Sequence, residues 1–455
     1  MLFRVLRWLG PLFVQCVLLA PLAHAQVAGE VEFARGVGFA QSPGDSPRTL
    51  GKGLPLREGD RLTTSDGASA IIKLQDGTRM TVRPNSELVL QQYQFRENAP
   101  DNGMLMQLVR GGFRAITGLI SKNSPNAARV QTGTATIGIR GTDFDARVCS
   151  TECGAESARI PENARPNAVQ ASARIFNAQG EISAVDAAGQ RRRLVDGASV
   201  YPGDVVETTR GSQAVLAFRD DTRVTLGSQT RFRLDNFVYD ERNAGEGRFL
   251  ASILRGSVRA LTGLIAKANS RNVGFSTATA TIGIRGTGFD VNCTGACAGE
   301  AGDASSGMTL FTWLGAIEVG QQGQTARQVL QAGQGLFIPA AGPVVPITNE
   351  PASEGPRPDQ VTVPPKLFSS DNVSDNAEGL FVFVRDGHIE IVSAREILHL
   401  GKNEAGFAGP NGDALRPNLI PKFMDFDQVP LPNSRNPLLT TVLSESGIRG
   451  GTSCK

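Results

Sequence analysis

Two Cys-x-x-x-Cys pairs, Cys149/Cys153 and Cys293/Cys297, stand in loops rich in Gly, Ala, Ser and Thr. A structural zinc site takes four ligands, usually with closer-spaced pairs or nearby His, and none is at hand. In an oxidising compartment each pair reads as one local disulfide, Cys149–Cys153 and Cys293–Cys297, with Cys454 left over. No metal and no other cofactor is expected. Beyond residue 25 the only histidines are His388 and His399. Neither is duplicated, so a Ser–His–Asp or Cys–His centre shared by both halves of the chain is excluded. His388 follows a turn glycine and is expected at the surface. Asp143 and Asp145 flank Phe144, but Gly288 stands where the first would recur, leaving only Asp145 and Asp290 in correspondence. One carboxylate per copy is weak ground for acid–base work, and no catalytic residue is expected. Arg140 and Arg285 each carry five donors that could hold a carboxylate or phosphate of a ligand or partner. The favoured reading is that each serves groups at the end of its own sheet.

These residues recur because the chain does. The stretch "TATIGIRGT" occupies Thr134–Thr142 and again Thr279–Thr287, 145 positions on. Around it, "LVRGGFRAITGLISK" (Leu108–Lys122) faces "ILRGSVRALTGLIAK" (Ile253–Lys267) at the same offset. Further back, "GDRLTTSDGASAIIKLQDGTRMTV" (Gly59–Val82) faces "GDVVETTRGSQAVLAFRDDTRVTL" (Gly203–Leu226) at an offset of 144. An identity this extended is an internal duplication.

Each block reads as strand and turn. Ala70, Ile72 and Leu74 alternate with other positions, and Met80 and Val82 resume the alternation after Asp76-Gly77, the signature of a two-residue hairpin. The second copy keeps the apolar face as Ala214, Leu216, Phe218, Val224 and Leu226. It turns on Asp220-Asp221, tolerable because Asp visits the left-handed region. In the nine-letter stretch, Ala135, Ile137 and Ile139 share one strand face, as do Ala280, Ile282 and Ile284, and Gly141-Thr142 bends the chain before Phe144. With 52 Gly, 25 Pro and short Val/Ile/Thr-rich runs, the fold class is all-β.

The opening MLFRVLRWLGPLFVQCVLLAPLAHAQ has a basic start at Arg4 and Arg7, an apolar run to Leu22, and small residues at Ala23-His24-Ala25. That order describes a secretory signal peptide cleaved after Ala25, with Cys16 inside the discarded piece. Pro11, Gln15 and Pro21 interrupt a run already short for spanning a bilayer. The mature protein is expected in the periplasm or outside the cell, without stable membrane insertion. Without Arg4 and Arg7, the 46 basic residues of the chain fall to 44, equal to its 44 acidic residues. That balance argues against nucleic acid or an anionic membrane as the main partner.

The succession of Gly59-Asp60, Asp76-Gly77-Thr78, "LVRGGFRAITG" and "TATIGIRGTDFD" resembles the periplasmic domain of the FecR family. The second copy, with its closing "GAIEVG…LQAGQG", resembles it more completely. The resemblance implies two tandem β-rich FecR-like domains, each a sandwich, a roll or a solenoid. The best-known relatives pass a signal from an outer-membrane transporter to a cytoplasmic sigma factor. Having no cytoplasmic segment ahead of its hydrophobic start, this sequence looks instead like an exported family member made chiefly of FecR domains. The expected organisation is a signal peptide at 1–25, a first domain at 26–167, a second at 168–341, a Pro-rich extended linker at 342–378, and a partial β unit with a loop-rich tail at 379–455. The third of these segments carries "FTWLGAIEVG" at Phe311–Gly320, and the last carries a similar hairpin, with Gly387-His388-Ile389-Glu390 paralleling Gly315-Ala316-Ile317-Glu318. The expected function is a non-enzymatic envelope protein that binds a partner protein in sensing, scaffolding or surface assembly. The alternative is a carbohydrate- or peptidoglycan-directed binding protein or hydrolase, which calls for paired carboxylates in an aromatic-lined cleft.

Overall fold

The computed structural model describes residues 27–123, 127–303, 305–364, 366–427 and 429–432. The expected signal peptide with its cleavage site, Cys16 and Cys454 lie outside them. The protein is all-β: among the described residues the strands form two hydrogen-bonded networks, of 15 and 17 strands.

Each network encloses its own apolar core, filled by the alternating positions of the duplicated blocks. Ile72, Met80, Val82, Ile137, Ile139 and Phe144 are buried in the first unit. Leu216, Val224, Leu226, Ile282, Ile284 and Phe289 are their counterparts in the second. The hairpin after Ser69–Leu74 is longer than the two residues expected. Lys73 pairs with Arg79, and the Leu74 amide donates to the Thr78 carbonyl at 2.8 Å. The reason is Asp76, which turns inward rather than sitting at an exposed tip. Its carboxylate accepts from the Thr78 amide at 3.1 Å and the Thr78 hydroxyl at 2.8 Å. Asp220 accepts from Thr222 in the same way, at 3.2 and 2.9 Å, and Asp221 takes the left-handed conformation, φ 64°. The same threonines reach the next block: Thr78 Oγ1 accepts from the Gly118 amide and Thr222 Oγ1 from the Gly263 amide, both at 2.9 Å. This explains why the Asp-x-Thr turn and the "TGLI" block recur together.

The two units close differently. In the second, strand Gly288–Cys293 pairs with Arg248–Leu261 on one side and with Gly307–Leu314 on the other. Ala280–Ile284 pairs with Ala316–Gln321. In the first, the single strand Ala135–Cys149 pairs with Gly103–Ile116 on one side. Its other edge is covered by Gly379–Ser393, from Ala135↔Ser393 to Cys149↔Gly379. The C-terminal hairpin is therefore not a third unit, as the sequence suggested, but the closing hairpin of the first. After Cys149 the chain leaves in a short helix, Glu152–Ala158, and the open edge of Ala135–Cys149 would leave its amides and carbonyls without a ladder partner. Leu380, Val382, Val384, Ile389 and Ile391 complete the first core. In sequence, the second unit is inserted into the first.

The segment opening at 168 belongs to the second unit, where Ala173–Gln179 pairs with Gln213–Phe218. The Pro-rich stretch is not a free linker. Val345–Ile347 pairs with Gln334–Pro339, and Val361 and Leu367 are buried. The two units are joined through a buried charge cluster. Arg174 of the second unit donates to both oxygens of Glu404, at 2.9 and 2.7 Å. Arg416 Nη2 lies 3.1 Å from the same carboxylate. The side chains of all three are fully buried, and the further donors of Arg416 reach the carbonyls of Ser369 and His399. His399 lies against Gly197, whose φ of +79° and lack of Cβ make room for the imidazole; a Cβ there would stand 2.0 Å from Nδ1.

Candidate functional site

The nine-letter stretch is a strand that grips the closing hairpin. Gly141 and Gly286 both adopt positive φ, 62° and 71°, making the expected bend. Just past it, the Thr142 hydroxyl donates to the His388 carbonyl at 2.9 Å, and that of Thr287 to the Ala316 carbonyl. Just before it, Arg140 donates to Glu390 at 2.7 Å and Arg285 to Glu318 at 3.0 Å. Both candidate anion-binding arginines thus hold carboxylates of their own unit. Arg285 remains 59% exposed whereas Arg140 is 14% exposed.

Each Cys-x-x-x-Cys pair lies at disulfide distance, with Cα atoms 5.7 Å apart in Cys149–Cys153 and 5.3 Å apart in Cys293–Cys297. The first packs with Phe381, Phe407 and Phe423 of the C-terminal segment. Among the described residues no group of three or more His, Cys, Asp or Glu is placed to hold a metal ion. His388, expected at the surface, is buried. It lies in Gly379–Ser393, opposite Arg140, with its ring centroid 5.5 Å from that of His399. Burial pushes its pKa well below the ordinary value and drives that of His399 down to about 3.

The arrangement that recurs most completely is a row of polar side chains crossing the sheet. Thr81 pairs with Arg114 and Arg114 with Asp145; in the second unit Thr225 pairs with Arg259 and Arg259 with Asp290. The row is continued by Arg385, whose Nε donates to Asp145 at 2.7 Å. At the matching place Trp313 Nε1 donates to Asp290 at 3.0 Å. Arg114 Nε sits 2.5 Å from Asp145, and Arg259 Nε donates to Asp290 at 3.0 Å. Burial raises the pKa of both aspartates, opposed first by Arg114 and Arg259 respectively. Perturbed carboxylates in a cleft are candidates for catalysis, but ion-pair networks perturb them equally. Here the side chains are only 2% and 6% exposed. Asp145 has its two oxygens against two guanidinium groups, which leaves no oxygen placed to take a proton from a substrate.

Irregular chain lies over the row in both units. Thr81 Oγ1 donates to the Pro430 carbonyl at 2.7 Å, and Thr225 Oγ1 to the Pro356 carbonyl at 2.9 Å. Arg114 Nη2 reaches the Asp427 carbonyl at 3.2 Å, and Arg259 Nη1 the Gly355 carbonyl at 3.4 Å. Sequence reasoning aligned Thr81, Thr225, Arg114 and Arg259 without singling them out. The available signal was two polar residues, the Thr and the Arg, kept unchanged in both copies.

The family model described as FecR protein matches residues 60–159 and again residues 204–303. The chain carries two tandem FecR domains. Each FecR match contains one full Thr–Arg–Asp row and one disulfide pair, while the hairpin that closes each unit falls outside it. No curated protein matches the chain. Among solved structures, a provisionally assigned anti-sigma factor from Parabacteroides distasonis is similar in two crystal structures, at 1.65 and 2.50 Å resolution. Each shows 15% identity and a TM-score of 0.24, covering 32% of this chain and 60% of its own. A superposition that loose fixes no shared architecture or role.

Proposed function

We propose that this tandem FecR-domain protein is an exported, non-enzymatic component of the cell envelope that binds a partner protein in sensing, scaffolding or surface assembly. The observation that carries the reading is the row of Thr, Arg and Asp repeated across the same three strands of both units. Its carboxylate is held by Arg114 and Arg385 in the first unit and by Arg259, Trp313 and Ser353 in the second, which disfavours acid–base chemistry, while its Thr and Arg donors point at main-chain carbonyls of polypeptide. Groups that satisfy backbone carbonyls are what a protein-binding face needs. The glycan-directed alternative loses its main support at Trp313. That ring is covered by the Arg357 guanidinium, 4.4 Å from its centroid, and its N–H is held by Asp290, so Trp313 offers no open platform to a sugar.

The basic start and Ala23-His24-Ala25 support export, and among the described residues no helix is long and apolar enough to cross a membrane. The test is in-envelope crosslinking from surface positions on both units, together with sequencing of the mature N-terminus and a glycan-cleavage assay. A specific crosslinked protein partner, a chain beginning at Gln26 and no cleavage are expected. Turnover of cell-wall glycan, or an intact Met1, would overturn the reading.

A further inference from the structure

Both segments lying on the Thr–Arg–Asp rows are written alike. Ser353-Glu354-Gly355-Pro356-Arg357-Pro358 lies on the second unit; on the first lie Asp427 and Pro430 of the sequence Asp427-Gln428-Val429-Pro430-Leu431-Pro432. Aligned on the carbonyl that accepts from Thr225 or Thr81, the two share Pro-x-Pro, beginning at that carbonyl. Three residues earlier each has a polar side chain bound to the row. Ser353 Oγ donates to Asp290 at 3.0 Å, and Asp427 is paired with Arg83 and lies 3.8 Å from Arg114. The central arginine meets different carbonyls in the two segments, one residue before the first proline in the second unit and three before it in the first.

Arg357 itself has φ −64° and ψ 136°, the polyproline II region. It stands between Gly355, with φ +80°, and the 3-10 turn Pro358–Gln360, and the segment's carbonyls at Gly355 and Pro356 accept from the side chains of the sheet. Arg223 Nη1 donates to the carbonyls of Pro358 and Val361, at 3.3 and 2.9 Å. Clefts of about 350 and 880 Å³ open beside the segments, the first bordered by Gln229 and Arg255 and the second by the equivalent Asn85 and Arg110. Thr81 and Thr225, on sheet faces that the segments cover, are fully buried.

Two unrelated stretches of one chain, 74 positions apart, have thus been taken up by the same face, with the same proline over the same threonine. We propose that this face of each FecR unit is a binding groove for a segment of the pattern Asp/Ser-x-x-Pro-x-Pro, filled here by the chain's own copies. Segment 427–432 then competes with a partner protein that presents Asp-x-x-Pro-x-Pro. The proposal rests on the protein-binding reading above and adds the chemistry of the partner and a built-in competitor.

The test uses the full chain and a labelled peptide of the sequence Met424–Pro432. A groove occupied in cis reduces apparent affinity by the fraction of molecules in which it is free. The D427A/P430A variant, with its own segment weakened, should therefore bind the peptide at least about tenfold more tightly than the wild type. Adding Thr81→Val should remove most of that gain, and a peptide with Ala at both prolines should bind neither protein. Equal binding by wild type and D427A/P430A, or indifference to the prolines, would overturn the proposal. Should the double variant not fold, hydrogen exchange on the wild type decides. Saturating peptide should speed exchange in residues 426–432, and an unchanged rate would sink the groove. An envelope partner crosslinked elsewhere, with no peptide binding, removes the groove and leaves the protein-binding reading standing.

Discussion

Arg140 and Glu390 are 250 positions apart in the chain and 2.7 Å apart in the fold. Their counterparts Arg285 and Glu318, at 3.0 Å, are separated by only 33 positions. The same ion pair ties the same strand to the same hairpin in both units, although the second unit carries its hairpin locally and the first borrows it from beyond the second.

Exposure sets the two arginines apart. Arg140 and Glu390 are both mostly covered, so Arg140→Ala should lower stability by roughly 1–3 kcal/mol, the cost of leaving a covered partner unsatisfied. Arg285 is mostly solvated, and its removal should change stability by about 0.5 kcal/mol or less. Urea melts of the two single variants check this, and equal losses would mean that exposure does not govern the pair.

The Arg174–Glu404–Arg416 cluster should be far more sensitive. Glu404→Gln leaves two guanidinium groups buried without a counter-charge, which should destabilise by roughly 3–5 kcal/mol. Because the cluster bridges the units, calorimetry should also show their unfolding separating into two transitions. A single unshifted transition would contradict the bridging role.

Acid should weaken the fold through the histidine pair. Burial holds His399 at about 3 against an ordinary 6.5, and His388 well below 6.5. The native state keeps both rings neutral, while the unfolded chain takes up protons below pH 6.5. The stability they contribute is therefore present above about pH 6.5 and is lost as pH falls toward about 3, at up to roughly 1.4 kcal/mol per pH unit for each ring. His399→Gln should flatten this slope in melting temperature measured against pH. An unchanged slope would place the acid sensitivity elsewhere.

The cysteine pairs close short loops, for which chain-entropy reasoning gives roughly 2 kcal/mol each. Peptide mapping without reduction should find each pair within a single peptide. Stoichiometric zinc, or pairing across the two units, would defeat the assignment.

What the sequence made legible follows from what is local. Periodicity in Ser69–Val82 and Thr134–Asp145 was readable because one buried face and turn chemistry suffice to specify strands. Tandem duplication then carried every local inference to a second place. The destination of the C-terminal hairpin was not readable. "GHIE" matches "GAIE" equally well as part of a new unit or as the missing edge of an old one, and only the open edge of Ala135–Cys149 decides. His388 was misplaced for the same reason: a residue after a turn glycine is exposed unless another strand arrives, and here one does. Arg174, Glu404 and Arg416 belong to no repeat and to no motif, so their convergence depends wholly on how the units meet. Thr81 and Arg114 were visible as repeated polar residues, but what covers them comes from segments more than 300 positions away.

The central claim is that residues 379–393 close the first unit within one molecule. Thr136 pairs with Val392 across that junction, and cross-strand neighbours stand close enough for a disulfide. In the T136C/V392C variant, oxidation followed by peptide mapping should yield a link between these two positions in monomeric protein. Absence of that link in folded monomer, or its formation only between molecules, would contradict the closure.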